Sequence, residues 1–293
     1  MTILQAIVLG LVQGLTEFIP VSSTAHLVFA ARAVGLYDNV LDKDLHAHQT
    51  TATIAVIQLG TLLAVLIYFA GDIIKILRAF VTDHLRLFSG TKQAGPKLSH
   101  DAWLGWLVII GSLPVGVIGL LFKKQIEGTF TKNLWVIATM MIVVALLLAI
   151  AELVGKRTKS MEQLGVGDSL AVGFAQSLAL IPGSSRSGST IMAGLFAGQT
   201  RETAARFSFL LSIPAIAASG LLELKEAVTK IPTDSYLALG VATVVSGVVG
   251  YASIWFLLRF LRTHSTGVFI VYRIIVGALI LVALSAGYIS ASI

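Results

Sequence analysis

Six apolar stretches of roughly twenty residues each constrain this chain more than any other feature, because an α-helix needs about 20 apolar residues to cross bilayer hydrocarbon. They cover residues 50–71, 103–123, 133–153, 203–224, 236–258 and 267–290. Only 12% of the 293 residues are charged, against about 25% in soluble domains. Too few polar side chains remain to cover a water-soluble particle. A cytosolic enzyme, a nucleic-acid binder and a disordered chain are thereby excluded. The apolar runs are continuous, not alternating in ten-residue units, which argues against a β-barrel. The net charge, 21 − 15 = +6, belongs to Lys- and Arg-rich cytoplasmic loops and not to a nucleic-acid surface. No cysteine is present, which removes disulfides and thiolate metal ligands. The N-terminus has no Lys or Arg before Arg32, and Gln13 and Glu17 interrupt its apolar stretch. It does not read as a signal peptide.

Two further apolar segments are interrupted. Residues 3–19 end at Pro20, and 24–36 follow after Val21-Ser22-Ser23. Residues 169–181 end at Pro182, and 188–199 follow after Gly183-Ser184-Ser185-Arg186-Ser187. Each half has about 12–17 residues, too few at about 1.5 Å per residue to cross a 30 Å core. Helix, break and helix predict re-entrant hairpins over about 1–36 and 169–199, with the breaks buried in protein or lining a wet cavity. Gly10-x-x-Gln13 matches Gly173-x-x-Gln176. Ile19-Pro20-x-Ser22-Ser23 matches Ile181-Pro182-x-Ser184-Ser185 after a one-residue gap.

Lys75, Arg78, Arg86, Lys92 and Lys97 place a loop of about 72–101 on the cytoplasmic side. Lys156, Arg157 and Lys159, and then Arg259 and Arg262, do the same for two further connections. The acidic loop 37–49, with Asp38, Asp42 and Asp44 against Lys43, falls outside, as do Lys123, Lys124 and Lys132. The hairpins then enter from opposite faces. The expectation is an all-α polytopic membrane protein, a single integral membrane domain over 1–293. It has six transmembrane helices plus two re-entrant helix hairpins in an inverted-topology repeat, with its site near the midplane.

The two breaks carry the chemistry. Gln13 and Glu17 share a helix face with Gly10 and Gly14. Ser22, Ser23 and Thr24 are suited to cap the next half-helix, with His26 in its first turn. A lone carboxylate in hydrocarbon needs a partner or a function. The second break presents Arg186, a permanent cation, among Ser184, Ser185, Ser187, Ser189 and Thr190 at a helix N-terminus. That combination suits a phosphate or diphosphate. Gly183 and Gly188 allow close backbone approach. If the tips meet, Glu17 and Arg186 either form a structural ion pair or serve phosphoryl transfer. His26, kept neutral by the positive helix end, is a candidate base or nucleophile. The Gly183–Thr190 spacing imitates a P-loop, but Ser189 stands at its Lys position and no strand precedes it. Arg273 is read as snorkelling or pairing with a buried acid. Pro114 and Pro214 are read as helix kinks. Gln58 and Ser212 are candidates to line the cavity. His46, His48, His84, His100 and His264 form no zinc constellation.

At these residues the chain resembles undecaprenyl-diphosphate phosphatases of the bacitracin-resistance family. The first family motif matches Gln13 through His26 and the second matches Pro182 through Thr190. Gln58-Leu59-Gly60, Phe207-Ser208-Phe209-Leu210-Leu211 and Tyr272-Arg273 are also similar, so the likeness runs through roughly 1–290. Gln13 stands where many members carry a second Glu, and Ala25 replaces the commoner Gly. The resemblance implies removal of one phosphate from undecaprenyl diphosphate at the outer face of a bacterial plasma membrane, and with it bacitracin resistance. It implies catalytic Glu17, His26, Ser23 and Arg186. The diphosphate would be held by Arg186, Ser22, Ser185, Ser187 and Thr190, with Gln13, Gly183 and Gly188 supporting. Glu17 is a candidate contact for a divalent cation, Mg²⁺ or Ca²⁺, that offsets diphosphate charge. The attacking group is His26, Ser23 or a water that His26 activates. The implied partners are the polyprenyl lipid and membrane lipids, with no nucleic acid and no oligomeric state specified. A lipid-carrier flippase or transporter is the chief alternative, since inverted repeats also suit alternating access. A lipid-phosphate phosphatase of the acid-phosphatase type lacks support, because its Lys/Arg-Pro motif and distal His-Asp pair are not found. A binding-only membrane receptor is the weakest reading.

Overall fold

A computed structural model describes residues 1–37, 43–88, 98–122, 125 and 133–291. Asp38, Asp42, Lys92, Lys97, Lys123, Lys124 and Lys132 of the charge argument lie outside the described residues, as do the side chains of Lys43, Asp44 and His46. The described structure is all-helical apart from an isolated bridge between Lys159 and Gln199. Among the described residues, six helices are long and apolar enough to cross a membrane. They are α3 (Lys43–Tyr68), α5 (His100–Leu121), α6 (Leu134–Val154), α9 (Arg201–Lys230), α10 (Tyr236–Leu261) and α11 (Gly267–Ser285). Their positions are those of the six apolar stretches. Pro114 and Pro214 lie inside α5 and α9. One expectation is revised: much of the 72–101 segment is helix α4 (Ala70–Phe88), not loop. Its apolar residues are spaced for a helix but are too interleaved with charge to span.

The short segments form helix pairs. Helix α1 (Ile3–Thr16) and α2 (Ser23–Ala33) flank the first break, and α7 (Val166–Ser177) and α8 (Arg186–Phe196) flank the second. Hydrogen bonds show that each pair begins and ends at one end of the bundle. Gln5 Nε2 donates to the carbonyls of Val34 and Gly35 at 2.8 and 3.1 Å, tying the start of α1 to the end of α2. The N-terminal amine donates to Ser235 Oγ at 2.8 Å, just before α10. In the second pair, Lys159 salt-bridges Asp168 at the start of α7, and its backbone N–H donates to the Gly198 carbonyl just past α8. Ser235 precedes α10, and Arg262 follows it and pairs with Glu202 beside the start of α9. The two hairpins therefore enter from opposite ends, and their tips meet between them.

Packing follows the same two-fold plan. Helix α1 lies on α10 as α7 lies on α5, and α3 packs on α10 as α9 packs on α5. The pairs α3–α9 and α6–α11 join counterparts to each other. Small residues allow these contacts. A Cβ on Gly10 would stand 2.6 Å from the Ala242 carbonyl oxygen, and one on Gly173 would stand 2.3 Å from that of Gly111. Such close backbone approach is how membrane helices gain dispersion contact. Gly10, Gln13 and Ser22 lie at one constant spacing from Gly173, Gln176 and Ser185. Ser22 and Ser185 are both helix N-caps at positive φ, 79° and 65°. The repeat needs no gap, and the sequence match of the two prolines is one residue out of step. In the structural register Ser23 corresponds to Arg186, and His26 to Ser189.

Candidate active site

The tips bring Glu17 and Arg186 together. Glu17 is 5% exposed, at the C-cap of α1. Its carboxylate accepts four hydrogen bonds. Oε1 accepts from Arg186 Nη2 at 3.0 Å and from Gln58 Nε2 at 3.2 Å. Oε2 accepts from Gln13 Nε2 and Ser23 Oγ, both at 3.0 Å. Gln13 also donates to Thr61 Oγ1 at 3.4 Å. Four donors around a buried carboxylate fix its orientation.

Arg186 is the first residue of α8, and only one edge of its guanidinium is engaged. Its Nε and Nη1 are buried without a hydrogen-bond partner. Buried donors without partners are costly, and these two N–H-bearing nitrogens of a permanent cation are open to an oxyanion. The Ser22 and Ser189 hydroxyls are likewise buried and unpartnered. Ser22 occupies the N-cap of α2 without using its hydroxyl to cap it. Both caps sit in a backbone region that costs non-glycine residues about 1–3 kcal/mol, strain of the kind concentrated at functional sites.

His26 stands apart from the carboxylate. Its Nδ1 lies 2.7 Å from the Ser22 carbonyl oxygen, which can only accept, so Nδ1 carries the proton. Nε2 is then the acceptor for the Tyr272 hydroxyl at 2.6 Å, and the two rings stack at 5.6 Å. Ser23, not His26, contacts Glu17.

The remaining hydroxyls are engaged within the protein. Ser185 Oγ accepts from the Gly188 N–H and bonds Ser187 Oγ at 3.2 Å. Ser187 Oγ also reaches the Ile19 carbonyl of the first tip at 3.3 Å. Thr190 donates to the Arg186 carbonyl at 2.8 Å and meets Ser208 Oγ at 2.6 Å. Ser184 donates to Ile181 and Ser212 to Phe209, so Ser212 is bonded within its own helix. The glycines serve protein contacts. A Cβ on Gly183, at φ +92°, would stand 2.2 Å from the Ile137 carbonyl oxygen, and one on Gly188 would stand 2.8 Å from Arg273 Nη1.

Arg273 neither snorkels nor meets an acid. It is fully buried in α11 and donates only to carbonyls: Nε to Met141 at 3.1 Å, Nη1 to Pro20 at 3.3 Å, and Nη2 to Met140, Gly183 and Ser184 at 3.3, 3.0 and 3.0 Å. One guanidinium thus ties both broken tips to α6. Sequence reasoning missed this role. The available signal was a single arginine inside an otherwise uncharged span.

No group of three or more His, Asp or Glu among the described residues is arranged to hold a metal ion. Among the described residues, Glu17 is the one carboxylate bonded to Arg186. A divalent cation here would need substrate oxygens as most of its ligands.

Comparison with known proteins bears on the same residues. A family model described as bacitracin resistance protein BacA matches residues 6–279. An undecaprenyl-diphosphatase of Syntrophobacter fumaroxidans is 52% identical over 281 residues, covering 96% of this chain and 97% of the relative. Proteins of that name from Mycolicibacterium gilvum and Chloroherpeton thalassium are 50% and 47% identical, each covering 99% of this chain and 100% of the relative.

Proposed function

The chain belongs to the bacitracin resistance protein BacA family, and from that premise we propose that it hydrolyses undecaprenyl diphosphate to undecaprenyl phosphate and inorganic phosphate. The observation that carries the reading is the half-engaged Arg186. One edge is fixed by Glu17 while Nε and Nη1 point to no protein acceptor. The terminal phosphate would accept from an unpartnered guanidinium N–H, with the Ser22 hydroxyl and the N-terminus of α2 as further donors. Ser23 would attack the terminal phosphorus as Glu17 takes its proton. The bond from phosphorus to the bridging oxygen then breaks, and undecaprenyl phosphate leaves. Water subsequently releases phosphate from the serine. His26, fixed through Ser22 and Tyr272, orients the Ser22–Ser23 turn. A divalent cation, Mg²⁺ or Ca²⁺, would arrive bound to the diphosphate and offset its charge.

The charges support a setting for the site. Lys159, Arg201 and Arg262 gather at the end where the second hairpin begins, which by the positive-inside rule is cytoplasmic. The first hairpin would then be re-entrant from the outside of the plasma membrane, with the site opening outward. Turnover there would deplete the lipid that bacitracin sequesters and so confer resistance.

Phosphate release from a C55 or C15 diphosphate by purified wild type, Glu17→Ala and Arg186→Ala in one preparation tests the proposal. Release by wild type alone is expected. The two-fold packing also suits alternating access. No release under any divalent cation, together with lipid movement in liposomes, would replace the hydrolase reading with a flippase.

A further inference from the structure

Helix α4 has three distinct sides, and the catalytic reading uses none of them. Ile76 and Phe80 pack against the position of Gly105, Asp83 accepts from the Ser99 N–H at 2.7 Å, and His84 Nε2 accepts from Trp106 Nε1 at 3.1 Å. These contacts all fall in the first two turns of α5, so this side of α4 rests on the end where that span starts. A second side carries Ile74, Leu77, Val81 and Leu85, which are 47%, 58%, 55% and 62% exposed. Their spacing puts them in one stripe along the helix. The third side, next to that stripe, carries exposed Lys75, Arg78, Thr82 and Arg86, of which Arg86 lies 3.9 Å from Asp83.

Depth limits what can cover the stripe. Only Phe69 separates α4 from the spanning helix α3. Arg206, which salt-bridges Asp72 at the start of α4, lies over the Phe69 ring. Helix α4 therefore begins where α3 leaves the bundle, at the end that also holds Lys159, Arg201 and Arg262. An apolar stripe at this level meets the boundary of hydrocarbon and headgroups. Exposed cations beside such a stripe are within reach of lipid phosphates.

We propose that α4 is an interfacial helix that embeds Ile74, Leu77, Val81 and Leu85 in the adjoining leaflet and binds anionic phospholipid headgroups through Lys75 and Arg78, with Arg86 extending the basic side. The occupant is a lipid surface. A second copy of the chain would cover the stripe without requiring the adjacent cations.

The absence of cysteine allows single-site labelling of the full chain. Val81→Cys and, separately, Thr82→Cys are labelled with an environment-sensitive fluorophore. Each is placed one copy per nanodisc in phosphatidylcholine containing a small fraction of acyl-chain spin-labelled phosphatidylglycerol or phosphatidylcholine. The label at 81 should be quenched several-fold more than that at 82. Spin-labelled phosphatidylglycerol should quench it more than spin-labelled phosphatidylcholine, by up to about fivefold for each cation engaged. Lys75→Gln with Arg78→Gln should abolish that preference while phosphate release stays unchanged. Equal quenching at 81 and 82, or a preference that survives loss of both cations, overturns the proposal. Protection of the label at 81 only when discs hold two copies overturns it in favour of self-association.

Discussion

Arg186 Nη2 lies 3.0 Å from Glu17 Oε1, and the two residues come from hairpins that enter the bundle from opposite ends. The contact joins the two halves of the internal repeat and leaves Nε and Nη1 of the guanidinium without a partner. Removing one partner leaves the other as a buried, uncompensated charge, at about 3–5 kcal/mol. Glu17→Ala and Arg186→Ala should therefore each lower the unfolding temperature in detergent and abolish phosphate release. The double variant should regain part of the stability and none of the activity. Arg186→Lys keeps the charge but not the fork, so it should raise KM for the diphosphate more than it lowers stability.

Ser23 and His26 are separable by the same kind of measurement. Ser23 Oγ contacts the carboxylate directly, so Ser23→Ala should reduce kcat by at least about 10³-fold if it is the nucleophile. His26 contacts the Ser22 carbonyl and Tyr272. Tyr272→Phe removes one of those supports and should lower kcat by about tenfold or less, with little change in KM. Normal turnover by Ser23→Ala, together with a dead His26→Ala, would transfer the nucleophile role to His26.

Arg273 should behave as a structural centre of the site without touching substrate. Its donors satisfy five carbonyl oxygens, two of them at the second break and one at the first. A methionine there deprives the Pro20, Gly183 and Ser184 carbonyls at the breaks of this donor, at about 1–3 kcal/mol for each buried group left unpaired. Arg273→Met should accumulate poorly or unfold at markedly lower temperature. Arg273→Lys, which reaches fewer carbonyls, should fold but lose kcat. If Arg273→Lys keeps full kcat and stability, the tips are held by other contacts.

What is legible in the sequence follows from local rules. The spans show because hydrocarbon thickness fixes the length of an apolar run, and α6 (Leu134–Val154) falls almost where its stretch of residues 133–153 places it. Gln13, Glu17 and Arg186 stand out because charge and amide are rare at that depth. Three features are not legible. Arg273 reads as a charge in search of an acid, because its partners are carbonyls of α6 and of two breaks distant in sequence. The protein contacts of Thr190 and Ser187 are not visible in the sequence, because composition alone does not show which way a hydroxyl turns. The repeat register acquires a gap when the prolines are aligned, whereas the positive-φ caps Ser22 and Ser185 define it without one.

Gly183 offers a test of backbone approach. Its φ is +92°, and a Cβ added there would stand only 2.2 Å from the Ile137 carbonyl oxygen, which leaves no room for alanine. Gly183→Ala should shift the second tip away from α6, lower the unfolding temperature and reduce activity together. Gly71→Ala is the control. A Cβ at Gly71 meets nothing within 4 Å inside helix α4, so that variant should be neutral or stabilised by about 0.5–1 kcal/mol.

Gln13 offers a test of whether the site takes a counter-ion. Its amide donates to Glu17 Oε2 at 3.0 Å, so Gln13→Glu replaces a donor by a second acceptor at the same distance. Two carboxylates that close do not both ionise without a counter-charge. In chelator the Gln13→Glu variant should unfold at lower temperature than wild type and release phosphate more slowly. Millimolar Mg²⁺ or Ca²⁺ should restore stability and turnover in the variant by a larger factor than in wild type. If chelator and cation affect the two proteins equally, position 13 does not contribute to cation binding and Glu17 alone sets the charge at the tip.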